Sequence, residues 1–216
     1  MTADLPASGR GARHAEPYAV LARRDPVFNA LLSSNGEPDP FRFHDGGRTG
    51  GDDFSALVLH IVGQQISTVV AFTLYDRLVQ RVGGRLSPAA VLVLQKHELR
   101  DLGLSGSKAR YVHELASRIE SNSLVLDELG TRSDEEVVEQ LISVPGIGSW
   151  TAEMFLIFQL HRRDVVVAAD IGIRTAIQRQ WDLDARPTPA AVRQLAAAWS
   201  PFRSYACALL WTSLGT

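Results

Sequence analysis

The chain has 216 residues, 45% of them apolar and 21% charged, enough for one large core or two small ones and unlike a disordered chain. A formal net charge of -2 shows no overall basic excess, so any nucleic-acid-binding face must be local. A single cysteine, Cys207, excludes a disulfide framework and any metal or iron–sulfur cluster held by thiolates.

No apolar run approaches the ~20 residues needed to cross a bilayer, and no basic start followed by an apolar stretch marks an export signal. These features point to a cytoplasmic protein with no membrane partner. Positive charge is nearly all arginine, Lys96 and Lys108 being the only lysines, while acidic residues concentrate in Asp127–Glu139. The charge pattern permits a locally basic face without requiring one.

Residues 1–16, rich in Ala, Gly, Ser and Arg, lack apolar periodicity and read as a disordered tail, with structure expected from near Pro17. From Tyr18 to Leu32 the apolar positions recur at helical spacing, and Pro26 divides the segment into two short helices. Residues 33–51, with Pro, Gly and Asp, read as a loop. Phe54–Val82 reads as two helices around a break at Gly63–Ser67, stopped by Gly83-Gly84. Further helices are expected at Pro88–Leu94, Glu98–Leu102, Ser107–Ile119, Ser133–Ile142, Ser149–Gln159, Ile171–Trp181, Pro189–Trp199 and Ser204–Ser213. Ser133 with Glu136 forms a capping-box pattern, and Thr188-Pro189 a cap followed by proline at the first helical position. Only Asp164–Ala169 looks strand-like, and one such run cannot make a sheet, so the expected fold class is all-α.

Leu141–Ala152, LISVPGIGSWTA, brings an amphipathic helix into Pro145-Gly146-Ile147-Gly148 and starts a second helix at once. Glycines at Gly146 and Gly148 allow positive φ and close approach to a surface, and the amides that open the second helix carry the positive end of its dipole. Such a turn suits an anion such as a DNA phosphate, bound through Gly146, Ile147, Gly148, Ser149 and Thr151. An ordinary helical corner uses the same glycines. Asp170 precedes a helical run, where an aspartate serves as N-cap; a carboxylate so fixed can also do chemistry.

The segment LISVPGIGSWTA resembles the helix-hairpin-helix motif of base-excision DNA glycosylases, whose pattern is apolar, x, x, apolar, P-G-[IV]-G, x, x, T-A. That superfamily carries an aspartate a short distance downstream, ahead of another helix, where this chain has VVVAADIGIRTAI. By this resemblance Asp170 is the catalytic carboxylate. Such a group stabilises the oxocarbenium-like transition state of N-glycosidic cleavage and orients or deprotonates the attacking water. Bifunctional members carry a nucleophilic lysine where this chain has Trp150, which implies hydrolysis by water without strand nicking. The missing cysteine cluster separates the chain from the iron–sulfur branch.

IVGQQIS, residues 61–67, is similar to the G-Q-x-[IV]-S segment of the alkylpurine branch, 3-methyladenine DNA glycosylase II. There the residue after the first Gln fills the gap left by a flipped nucleotide, which implies Gln65 as the wedge, with Gln64 the alternative. A helix break with buried amides is the plain reading of the same residues. WSPFRSYACALLW also resembles this branch and makes Trp211, with Trp150, an aromatic of the base pocket; each could equally be a core residue. Indole faces favour cationic purines, and those purines are already good leaving groups. Met154 stands where the branch carries a further pocket tyrosine. LGLSGSK, residues 102–108, offers Ser105 and Lys108 as phosphate contacts, or a solvated helix start. The carbonyls of Ile142, Val144 and Ile147 match positions that hold Na⁺ or K⁺ in relatives, and no other cofactor is implied. His60 and His113 lack a partner at ligand spacing and read as satisfied core or surface residues.

The resemblance spans roughly Phe54–Trp211. It implies two helical lobes, one of about 17–52 plus 165–216 and one of about 53–164, with the DNA-binding and active-site cleft between them. The chain is too short for the extra N-terminal β-rich domain of larger members and resembles the compact form. The expected protein excises alkylated purines from duplex DNA as a monomer associated with the nucleoid. A non-catalytic helix-hairpin-helix module would need the hairpin without Asp170. An oxidised-base or mismatch glycosylase with lyase activity would need lysine at position 150.

Overall fold

Helices begin where the sequence supplies a group for the orphan amides of the first turn. The computed structural model describes residues 14–215; the tail expected over residues 1–16 therefore falls largely outside the described residues. Ala15–Arg24 (α1) starts two residues before Pro17, because a proline in the first turn gives up an amide that has no helical partner anyway. Asp25 ends α1 and caps Pro26–Asn35 (α2), its side chain accepting from the Val27 amide, so Pro26 divides the two helices as expected.

The remaining helices are Asp53–Gly63 (α3), Thr68–Arg81 (α4), Pro88–Val93 (α5), Lys96–Asp101 (α6), Gly106–Glu120 (α7), Asp134–Ile142 (α8), Ser149–Phe158 (α9), Ile171–Gln180 (α10), Pro189–Ala196 (α11) and Arg203–Thr212 (α12). The Ser133/Glu136 capping box and the Thr188 cap with Pro189 in the first turn are both present. Two 3-10 turns were not anticipated, Leu126–Thr131 and Ala197–Trp199; the second ends the expected helix 189–199. No strand occurs among the described residues, and Asp164–Ala169, which looks strand-like in sequence, runs as irregular backbone. No helix among them is long and apolar enough to cross a membrane.

The chain divides into two units. Among the described residues the first takes 14–42 and 161–215, the second 43–160. Each is built around one helix buried on every side, which is what an uninterrupted apolar helix requires. In the second unit this is α3, buried from Phe54 through Val62, with α4, α7 and α9 against it. In the first unit it is α12, buried from Ser204 through Leu210 and flanked by α1, α2 and α10. Tyr18 and Leu21 of α1, Phe28 and Leu31 of α2, and Ile173, Ala176 and Ile177 of α10 close over it. Each large apolar side chain so buried contributes about 1.5–3 kcal/mol before entropy is counted. Cys207 is buried there as a small apolar residue.

The irregular segment before α10 is tied to the start of α12. Ser204, fully buried, donates from Oγ to the Arg162 carbonyl (2.7 Å) and accepts from the Val165 amide (3.1 Å). Asp164 takes Arg203 Nε on Oδ1 (2.7 Å) and Arg203 Nη2 on Oδ2 (2.9 Å), with Ser200 Oγ also on Oδ2 (2.8 Å). Burial pushes the Asp164 carboxyl up, but these hydrogen bonds outweigh it and hold it below the usual carboxylate range. Backbone polar groups that a β-ladder would have satisfied are thus met by the N-terminal turn of α12.

Candidate active site

The first unit contains Asp170. The Val165–Ala168 stretch is buried, so residues 164–170 have little freedom, and the chain turns into α10 at Asp170. Asp170 is indeed the N-cap: its Oδ1 accepts from the Ile173 amide at 2.8 Å. The same Oδ1 accepts a second hydrogen bond, from the indole Nε1 of Trp211 on α12, at 3.0 Å. The structure thus brings together two of the residues singled out in the sequence, 41 positions apart, through a polar contact that no motif pattern specifies. Both side chains are half-buried. Beside them is Gly172, which the sequence reading passed over. A Cβ built there would stand 2.9 Å from Asp170 Oδ1 and 3.4 Å from Trp211 Cδ1. Its one signal in the sequence is a glycine two residues after the aspartate, inside a helix start that has no need of it. Trp199 is core, and Trp181 packs on it with ring centroids 6.0 Å apart.

The second unit contains the hairpin, α8 and α9 joined through Ser143–Gly148. Gly146 has φ +92°, and a Cβ on it would lie 2.3 Å from the Tyr111 ring, so glycine is demanded there twice over. Gly148 differs from expectation. Its φ is -101° and a Cβ would meet nothing within 4 Å, because it serves as N-cap of α9 and faces open space. That cap has no side chain to offer, and Gly148 and Ser149 are exposed, so the first-turn amides of α9 are presented outward with the helix dipole behind them. Ile147 and the Thr151 side chain are buried; only their backbone can face a ligand. The Ile142 carbonyl lies in the last turn of α8, where helical carbonyls run out of N–H partners, and the Val144 carbonyl accepts from the Ile147 amide at 3.0 Å. Carbonyl oxygen is the donor type that a hard monovalent cation takes. No cluster of His, Cys, Asp and Glu among the described residues could hold a metal ion.

The break between α3 and α4 is fastened to this hairpin. Gln64 Nε2 donates to the Gly146 carbonyl at 2.7 Å, and Lys108 Nζ donates to the Val62 carbonyl, also at 2.7 Å, near the C-terminal end of α3. Burial lowers the pKa of Lys108. Ser105 caps α7, its Oγ accepting from the Lys108 amide at 3.3 Å. Gln65 is exposed and holds φ +58°, a left-handed conformation that non-glycine residues seldom adopt. Trp150 and Met154 lie one turn apart on α9, both half-buried.

His60 of α3 meets the Trp150 ring edge-to-face at 5.6 Å and lies over Phe43 at 5.0 Å; Phe43 stacks in turn on Phe158 at 5.3 Å. It is a core histidine but not the satisfied one expected, since Nε2 is buried without a hydrogen-bond partner. Desolvation pushes its pKa down to about 4, so the ring is neutral at pH 7.

The chain is all-α and contains a tight hairpin whose second helix starts without a side-chain cap, the arrangement of the helix-hairpin-helix class of DNA repair proteins that the sequence resembles. Residues 58–201 match the HhH-GPD superfamily of base excision DNA repair proteins, and the chain belongs to that superfamily. It is 33% identical over 168 residues to YfjP of Bacillus subtilis (strain 168), covering 74% of this chain and 58% of the relative. It is 29% identical over 163 residues to DNA-3-methyladenine glycosylase 1 of Schizosaccharomyces pombe, covering 74% of this chain and 72% of that protein. The chain thus spans little more than half the length of YfjP and about three quarters of the yeast protein. Among solved structures it resembles the 3-methyladenine DNA glycosylase of Schizosaccharomyces pombe in complex with abasic DNA. That match has a TM-score of 0.83 at 26% identity and covers 93% of this chain and 97% of the other.

Proposed function

We propose that this protein is a monofunctional DNA glycosylase that hydrolyses the N-glycosidic bond of alkylated purines of the 3-methyladenine and 7-methylguanine type in duplex DNA. The observation that carries the reading is Asp170, a carboxylate held on Oδ1 by the Ile173 amide and the Trp211 indole in a chain of a base excision repair superfamily. Relatives named for 3-methyladenine support the branch.

In this reaction the C1′–N bond breaks with its electron pair leaving on the base, and positive charge builds on the sugar. Asp170 stabilises that charge and receives or directs the proton of the water whose oxygen bonds to C1′. A cationic alkylpurine departs as a neutral base and needs no acid, so a site without a general acid selects for it. Trp150, where a nucleophilic lysine would make a lyase, leaves water as the nucleophile, and Trp150, Met154 and Trp211 are the pocket residues of this reading. Indole faces add a cation–π preference of about 0.5–2 kcal/mol for the charged base.

DNA is held through the open amides of Gly148, Ser149 and Thr151, with Gly146, Ile147 and Ser105 contributing to the phosphate-binding face. Lys108 is spoken for by the Val62 carbonyl, which supports a minor part for it. Gln65 is the wedge, since the Gln64 amide is engaged by Gly146. Ile142, Val144 and Ile147 would hold a monovalent cation through their carbonyls, where it would add positive charge near a phosphate. The protein works as a monomer in the cytoplasm, on nucleoid DNA.

The test is base release from methylated duplex DNA by wild type and Asp170→Asn, with strand nicking scored separately. Wild type is expected to free 3-methyladenine or 7-methylguanine and leave intact abasic strands, with the variant at least ~100-fold slower while still binding DNA. Binding without release by either protein would instead identify a non-catalytic module. Nicking by wild type would reveal an overlooked amine nucleophile.

A further inference from the structure

We infer that Gly172 and Trp211 are positioning residues for the Asp170 carboxylate: the indole N–H pins Oδ1, and the bare α-carbon of Gly172 leaves the room in which that oxygen sits. The inference rests on the reading of Asp170 as the catalytic carboxylate and goes beyond it, because neither residue touches the sugar in this account. Of the two hydrogen bonds on Oδ1, the one from the Ile173 amide is ordinary N-capping, which any capping side chain makes. The one from Trp211 Nε1 is not part of a cap; it comes from another helix, and an indole N–H can only donate. Together they fix the plane of the carboxylate as well as its location.

Gly172 is otherwise hard to account for. It lies in the first turn of α10, its backbone does not adopt the left-handed conformation that favours glycine, and alanine is the better helix former there. The sequence thus carries a helix-weakening residue for which the backbone has no use. Its surroundings supply the use: an added Cβ would lie 2.9 Å from Asp170 Oδ1, 3.4 Å from Trp211 Cδ1 and 3.6 Å from Leu214 Cδ1. The first distance is shorter than a carbon–oxygen contact, so the oxygen must give way. An oxygen tied to two donors gives way only by lengthening one bond or rotating the carboxylate, and productive geometry tolerates only about 0.5 Å.

The experiment measures single-turnover release of 7-methylguanine, affinity for duplex DNA carrying an abasic site, and Tm, for wild type, Gly172→Ala, Trp211→Phe, Asp170→Asn and the double variant Asp170→Asn/Gly172→Ala. Gly172→Ala and Trp211→Phe are each expected to slow release at least ~10-fold while affinity stays within about 3-fold and Tm within about 3 °C. In the Asp170→Asn background Gly172→Ala should cost nothing more, because the group it displaces is already disabled. Release within about 2-fold of wild type for both single variants, or a loss matched by an equal loss of affinity, overturns the inference. Should Gly172→Ala fail to fold, Trp211→Phe decides by comparison with Asp170→Asn/Trp211→Phe: a loss seen with Asp170 and absent in the Asp170→Asn background supports positioning through the carboxylate, whereas an equal loss in both backgrounds is the pocket contact alone and overturns the inference. Wild-type release by Asp170→Asn would mean that the reading of Asp170 itself is wrong, a result distinct from either.

Discussion

His60 shows how a side chain's chemistry is decided by what surrounds it. With Nε2 buried and unpartnered and the pKa down at about 4, the folded protein refuses a proton that the unfolded chain accepts below pH ~6.5. Above that pH the ring is neutral in both states and pH-dependence from this group vanishes. Between pH ~6.5 and about 4 the unfolded state binds more protons, so stability falls as pH falls, by up to about 3 kcal/mol. Tm of wild type should therefore drop over that window, and His60→Phe, which keeps a ring beside Phe43 and Trp150, should show a shallower drop. Parallel curves for the two proteins would exclude His60 as the cause. Other residues of the candidate site were legible to different degrees. Asp170 could be read as a cap directly, and the hairpin pattern identified it as the carboxylate to consider. Gly172 could not be read at all, because clearance for an oxygen belonging to its neighbour leaves no pattern in residue types.

At the scale of elements, the two hairpin glycines look equivalent in sequence and are not equivalent in the fold. Gly146 is in the left-handed region against the Tyr111 ring, so Gly146→Ala combines backbone strain of about 1–2 kcal/mol with overpacking of about 1–3 kcal/mol. It should lower Tm markedly in a thermal melt. Gly148 has ordinary φ and open space, so Gly148→Ala should cost under about 1 kcal/mol of stability as a cap change. Its added methyl stands where a phosphate would approach the α9 amides, so it should weaken DNA binding in a titration at fixed salt. Equal effects of the two substitutions on Tm would contradict this division of labour. Helix starts were the most legible elements, because Ser133, Thr188 and their neighbours satisfy local amides. The stretch 164–169 was the least: its valines suit a strand, but its polar groups found partners in Arg203 and Ser204 of α12.

At the scale of the molecule, the second unit is one continuous stretch, whereas the first joins residues from both ends of the chain. Tyr18, Leu21, Phe28 and Leu31 cover the same core as Ile173, Ala176, Leu209 and Leu210. A chain beginning at Phe43 should therefore lose more helix by circular dichroism than α1 and α2 contain, because α10 and α12 are left with an uncovered apolar face. Loss of only the two deleted helices' signal would show that the C-terminal helices stand without them. The amino-acid sequence by itself determined the helical class, the division of α1 from α2 at Pro26, the caps, Asp170 among them, and the hairpin, since these depend on residues within a turn or two of each other. Only the tertiary structure decided that Trp211 donates to Asp170, that Gln64 holds the hairpin, that His60 is neutral and unpartnered and that Gly172 must lack a side chain. Those are contacts between residues brought together by packing, or, for Gly172, a space left by it, and packing depends on shape across the whole core, which no local spacing encodes.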